Sequence, residues 1–166
     1  HHGDEFYEHG RIDHGMTLYD EVIRIPLAMV VPGGARNKQI GQQVRNIDIL
    51  PTLFELVGIP YAPDAVMEGK SLVPAMSGRD MKLDAYPETT YRYAVFLSGI
   101  RRWDGWKLVT DLETQAKKMF MVRDDAAESK DAYGSVENIE NELMRSLTEH
   151  AKKMEQDKTL VRGEGK

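Results

Sequence analysis

Apolar residues are spaced unevenly along the chain, and the spacing changes character several times. Residues 1–20 follow neither a 3.6- nor a 2-residue period, and Gly3, Gly10 and Gly15 punctuate a polar stretch, so a loop is expected. Val22 to Val31 then reads as a strand. Leu27 to Val31 is continuously apolar, as in a strand covered on both faces of an α/β sheet. Pro26, which lacks an N–H, marks its first residues, and Pro32-Gly33-Gly34 ends it. From Asp48, an N-cap residue, Ile49, Leu50, Leu53, Phe54, Leu56 and Val57 fall on one helical stripe that Gly58 closes. Pro51 sits in the first turn, where its missing N–H costs nothing. Ser71 caps a short helix through Leu72, Val73 and Met76, ending near Gly78.

After Asp84 the pattern shortens. Tyr91 to Leu97, Gly99 to Trp103, Trp106 to Thr110 and Lys118 to Val122 read as four short strands, and Asp104-Gly105 is a hairpin turn. Ser135 caps a long helix carrying Val136, Ile139, Leu143, Leu147, Ala151 and Met154 on one face. The expected fold is α/β: an α/β piece over residues 1–84, an antiparallel four-stranded sheet with a helix over 85–156, and a flexible tail over 157–166. No internal repeat is present.

Composition narrows the function. With 166 residues the chain is long enough for one domain or part of a larger one. Lys and Arg are scattered and the net charge is −5, which argues against nucleic acid as a partner. The longest near-continuous apolar run, Ile25 to Val31, falls short of the roughly 20 residues of a membrane helix. There are no cysteines, so this stretch holds no disulfide, thiolate zinc site or Cys nucleophile. The chain opens on His1 and not on Met, so the lack of a secretory signal says little.

Chemistry concentrates in the first twenty residues, with His1, His2, Asp4, Glu5, Glu8, His9, Asp13 and His14. A solvated Gly-rich loop, with tag histidines at its start, is the bland reading. The string itself argues otherwise. His2-Gly3-Asp4-Glu5-Phe6-Tyr7-Glu8-His9-Gly10, then His14-Gly15-Met16-Thr17-Leu18-Tyr19-Asp20-Glu21-Val22-Ile23-Arg24-Ile25-Pro26-Leu27, resembles the late catalytic block of the sulfatase family, within the alkaline-phosphatase superfamily. Asn46 to Leu53 is similar to that family's next helix, and Gly69-Lys70-Ser71-Leu72-Val73-Pro74 to its G-x-S-L-x-P turn. Glu88-Thr89-Thr90, Arg101 and Trp106-Lys107-Leu108-Val109 are similar to its carboxy-terminal subdomain. The ordered set is specific where single motifs are weak.

The resemblance implies roles. An Asp-His or Asp-Asn pair before the glycine binds a divalent cation, calcium in sulfatases; His2 matches its second member, and His1 stands where the family has Asp. Calcium prefers oxygen ligands, so a His1–His2 pair would favour a softer metal. His14 matches a His or Lys facing the ester oxygen of the substrate, where an imidazolium stabilises developing charge or donates a proton. His9 is expected behind these groups, orienting the loop. Asp4, Glu5 and Glu8 read as solvated charges, Tyr19, Asp20, Glu21 and Arg24 as structural, and Trp103 and Trp106 as packing residues.

The family's nucleophile is a formylglycine made from Cys or Ser in a C/S-x-P-x-R context, and no serine here has that context. The nucleophile and the upstream aspartates are expected in an amino-terminal region outside this chain. The leading expectation is therefore part of a sulfuric-ester hydrolase with a sulfate-ester substrate. Its alternatives are a phosphonate or phosphate monoester hydrolase or phosphoglycerol-type transferase of the same superfamily, and a non-catalytic sulfatase-like domain. Uncovered apolar surface is expected to drive self-association. Without a nucleophile there is no covalent step, so the isolated chain is expected to hydrolyse an aryl sulfate no faster than buffer. Turnover that survives purification and vanishes on His14→Ala contradicts this.

Overall fold

The computed structural model describes residues 1–34, 36–61, 66–89 and 93–162, with side chains to residue 158. The start of the first expected strand, at Tyr91, lies outside these residues, as do Thr90 of the Glu88-Thr89-Thr90 motif and residues 163–166 of the expected tail. The fold is mixed α/β and forms two compact units. One is His1 with Ile25–Leu83; the other is His2–Arg24 with Asp84–Lys166.

In the second unit, strands β1 (Glu5–Phe6) and β2 (Ile12–Asp13) form a short antiparallel hairpin. A four-residue helix, α1 (Asp20–Ile23), follows. The second sheet has the order β3-β4-β5 and is antiparallel throughout, with β3 Leu97–Arg101, β4 Trp106–Asp111 and β5 Lys117–Met121. The expected four-stranded sheet is thus three strands among the described residues, because Leu97 to Arg101 runs across the break placed between the first two. Its outer edge is covered by single bridges from Ala85 to Arg101 and from Glu88 to Ser98.

Register sorts the sheet into two chemically different faces. Ile100, Leu108 and Met119 lie across from one another in one row. They form a core with Leu143 and Leu147 of helix α4 (Glu137–Arg162), against which Trp106, Val136 and Ile139 pack. The neighbouring row is Arg101, Lys107 and Phe120. Successive strand residues point to opposite faces, so this row faces the segment before Ile25, where Leu18 and Val22 are buried. The apolar pattern of α4 stops at Met154, yet its backbone stays helical to Arg162. Lys, Glu and Gln, all good helix formers, occupy much of that extension.

Lys107 is fully buried. Its Nζ lies 3.1 Å from Asp20 Oδ1 and 2.7 Å from Glu128 Oε1. Arg101 adds a bidentate pair with Asp20, at 3.1 and 2.9 Å. Glu128 in turn accepts the backbone N–H of Asp20 at 2.5 Å.

In the first unit, a 3-10 turn (Asn46–Asp48) leads into α2 (Ile49–Val57), which ends on left-handed Gly58, and α3 (Val73–Met76) follows. Asp48 is buried and accepts from the backbone N–H of Arg45 and of Lys70. Thr52 Oγ1 donates to the Asp48 carbonyl and accepts from Leu72 N–H. Gly69 permits this closeness, since a Cβ there would sit 1.9 Å from the Ile47 carbonyl oxygen. The expected strand meets a different outcome. Residues 25–31 carry no ladder bonds, and Val30 is 99% exposed; among the described residues this unit contains no neighbouring strand to pair with them. The apolar stripe of α2 is also uncovered, with Leu50, Leu53 and Val57 exposed and Pro51 and Thr52 buried instead. Among the described residues no helix is long and apolar enough to cross a membrane.

The ion cluster makes stability depend on pH. Burial alone would push the Asp20 carboxyl up, but the Arg101 guanidinium and the Lys107 ammonium hold it below the ordinary carboxylate value. Burial pushes the Glu128 carboxyl up against the pull of Lys107. The lowered Asp20 value gives stability that is present above the ordinary carboxylate range and lost as pH falls through the folded value. Glu128 has the opposite sign: stability falls as pH rises from its ordinary value through its raised one. Asp20→Asn should therefore flatten the acid limb of the urea-midpoint profile. Lys107→Met, which leaves Glu128 without its cation, should cost about 3–5 kcal/mol at neutral pH. Changes under about 1 kcal/mol, the range of exposed ion pairs, would contradict this account.

Candidate functional site

The β1–β2 hairpin organises the histidine-rich loop. Glu5 pairs with Asp13 and Phe6 with Ile12, so Asp4 and His14 face each other one step beyond the ladder. Asp4 Oδ1 lies 2.8 Å from His14 Nδ1. Asp13, at φ 80°, turns its carboxylate back toward His14, with Oδ1 2.9 Å from the backbone N and 2.7 Å from Nδ1. Asp is among the residues that tolerate this left-handed conformation. The His2 ring lies against that of His14, with centroids 3.7 Å apart. Ligand-capable atoms of His2, Asp4 and His14 all fall within 4.8 Å of one another. His1 is exposed and belongs to neither ligand-capable group among the described residues.

Gly3 lets the loop reach this position. Its N–H donates to the Val22 carbonyl at 2.8 Å, and a Cβ on it would lie 2.0 Å from the Glu21 carbonyl oxygen. No residue with a side chain fits that approach without moving the backbone.

His9 lies in a second cluster. Its Nδ1 lies 2.5 Å from Glu21 Oε1 and its Nε2 3.0 Å from the Ala127 carbonyl oxygen. The ring stacks on Tyr19, with centroids 3.5 Å apart and planes 5° from parallel. The Tyr19 hydroxyl accepts from Lys118 Nζ at 3.0 Å. Glu5 stands beside this group, 1% exposed, and its Oε2 accepts from Thr17 Oγ1 at 2.8 Å.

The structure thus brings His2 and His14 together, and sets His9 in a separate cluster behind the hairpin. It gives partners to Asp4, Glu5 and Glu21, which as a string look like solvated or structural residues. The signal for Asp4 was its ladder position opposite His14, visible only once the hairpin register is known. As a donor set, His2, Asp4 and His14 offer two imidazoles and one carboxylate. That does not suit calcium, which takes six to eight oxygens, and suits a borderline metal better.

Comparison with known proteins places the chain in a class. Residues 7–157 match the family N-sulphoglucosamine sulphohydrolase, C-terminal. The Delta 4,5-hexuronate-2-O-sulfatase of Bacteroides thetaiotaomicron is 27% identical over 138 residues, 78% of this chain and 28% of that protein. Mouse arylsulfatase K is 31% identical over 85 residues, 51% of this chain and 15% of that protein. A structure solved with its substrate D-glucosamine-2-N,6-O-disulfate superposes with a TM-score of 0.74 at 25% identity, covering 93% of this chain and 33% of the other. The fold is that of a carboxy-terminal region of alkaline-phosphatase-like sulfatases. The chain belongs to the N-sulphoglucosamine sulphohydrolase, C-terminal family, and so to the sulfatases. It spans about a third or less of the length of these relatives.

The Asp4 and Asp13 carboxylates around Nδ1 should hold the neutral His14 ring in the tautomer protonated there, with Nε2 left to accept. Nitrogen-15 spectra of the ring measure this directly. Asp4→Ala should shift population toward the other tautomer, and an unchanged tautomer ratio in Asp4→Ala and Asp13→Ala would show that neither carboxylate directs the ring.

Proposed function

We propose that this chain is part of a sulfuric-ester hydrolase acting on sulfated sugars, with His14 assisting departure of the leaving oxygen. The reading is carried by the family match over residues 7–157. The hexuronate sulfatase and the neighbour solved with a sulfated glucosamine support a sugar sulfate as the substrate class. In this reading the nucleophile is a formylglycine from a C/S-x-P-x-R segment, which these 166 residues do not contain.

Cleavage of a sulfate ester develops negative charge on the bridging oxygen. A protonated His14 ring keeps its Nδ1–H on Asp4, and its Nε2–H is the one to donate. Once that proton has left, the remaining neutral tautomer is the one the two carboxylates already favour, so the ring needs no reorientation between turnovers. Asp4 and Asp13 act here as positioning residues.

The test uses the longer protein that carries this chain. An alkoxide leaving from a sugar needs a proton far more than a nitrophenolate does. His14→Ala should lower the rate on a sugar sulfate by about 10²–10⁴-fold, the range of general acid catalysis, and should slow an activated aryl sulfate much less. Equal losses on both esters would remove the acid role.

A further inference from the structure

Behind the hairpin, three acceptor atoms converge. His9 Nε2 faces the Ala127 carbonyl oxygen at 3.0 Å, an acceptor only, so that nitrogen carries a proton. In the neutral ring Nδ1 is then a bare lone pair, and it points at Glu21 Oε1, another acceptor, 2.5 Å away. Glu5 supplies the third. Its residue is 1% exposed, its Oε2 is bonded to the Thr17 hydroxyl, and its Oε1 has no hydrogen-bond partner. Ligand-capable atoms of Glu5, His9 and Glu21 all lie within 4.8 Å of one another. Two carboxylates and a lone pair stand together, one oxygen of the buried Glu5 is orphaned, and the arrangement costs free energy until something positive sits among them.

We infer that Glu5, His9 and Glu21 form a binding site for a divalent transition ion of the zinc type. Imidazole nitrogen and carboxylate oxygen are both zinc ligands, with bonds of about 2.0–2.2 Å. Ligand atoms held tetrahedrally by one such ion stand about 3–4 Å apart, so a spacing within 4.8 Å needs only modest adjustment. The Nε2–H bond to the Ala127 carbonyl is the support a metal-bound histidine usually has, fixing ring orientation and leaving the other nitrogen for the ion. Stacking on Tyr19 holds the ring plane as well. Calcium is disfavoured, since the site offers too few oxygens. The site is separate from the His2–Asp4–His14 group, and its assignment does not rest on the proposed activity.

The test is a zinc titration of the chain by calorimetry, in a His2→Ala/His14→Ala background that removes the outer group. One equivalent should bind. Adding Glu5→Gln should weaken it at least tenfold, and Glu21→Gln should do the same. Glu5→Gln keeps the shape of the side chain and the Thr17 bond, so the fold should survive. It should even raise the melting temperature of the metal-free chain while abolishing the rise that zinc gives the parent background. In ring nitrogen-15 spectra zinc should move His9 Nδ1 and leave Nε2 protonated. No binding in the background, or binding that both Glu variants leave unchanged, would overturn the site. A His9 ring protonated on both nitrogens and indifferent to zinc would do so too, by showing that a proton is the positive occupant.

Discussion

One buried ammonium ties the histidine-rich segment of the larger unit to its sheet. Lys107 sits on a central strand, on the face of the sheet opposite the apolar core, and is closed from solvent. Left alone there it would be among the most expensive groups in the molecule. Asp20 and Glu128 answer it, one from the amino-terminal segment and one from the loop after β5. The sheet therefore holds α4 by apolar packing and holds the histidine-rich segment by charge. Removing either carboxylate leaves a buried imbalance, so the two attachments of the sheet differ in kind as well as in place.

Local elements were legible where the pattern and its punctuation agreed. The α2 helix with its Gly58 end, the Asp104-Gly105 turn and the packed face of Val136, Ile139, Leu143 and Leu147 follow from spacing alone. The run Leu27 to Val31 did not become a ladder strand, because an apolar run shows only that a segment wants cover, and strand structure needs a partner that supplies hydrogen bonds. Among the described residues Leu97 to Arg101 is one strand that runs through the expected break at Ser98, and the neighbouring glycine does not interrupt the ladder. There it serves close approach instead: a Cβ on Gly99 would meet the Leu108 carbonyl oxygen at 2.9 Å and Leu18 at 3.5 Å.

The chemistry was legible by resemblance more than by spacing. The string from His2 to Leu27 pointed to His2, His9 and His14, and the fold sets two of them ring against ring and the third apart. What the string could not show is which acids serve which histidine. Those acids lie within 12 residues of their histidines, but the pairing depends on the hairpin register, and the contacts that anchor the segment, from Asp20 and from His9 to Ala127, reach 81 to 118 residues away. Glu128, which anchors Asp20 through its backbone N–H, has nothing around it in sequence to single it out.

The two-pair hairpin has a further consequence. Asp4, just before β1, and Glu5, its first residue, serve opposite faces, Asp4 toward His14 and Glu5 toward His9 and Glu21. A slip of one position would exchange them, sending Asp4 inward and Glu5 to the outer group. The turn that sets the register runs from Tyr7 to Arg11, closed by the Tyr7 N–H to Arg11 carbonyl bond and by left-handed Tyr7 and Gly10. Exposed side chains in that turn are free to drift among relatives, while an inserted or deleted residue would disable both clusters at a stroke. Apart from His9 and the left-handed Tyr7 and Gly10, this loop should prove permissive in composition and strict in length.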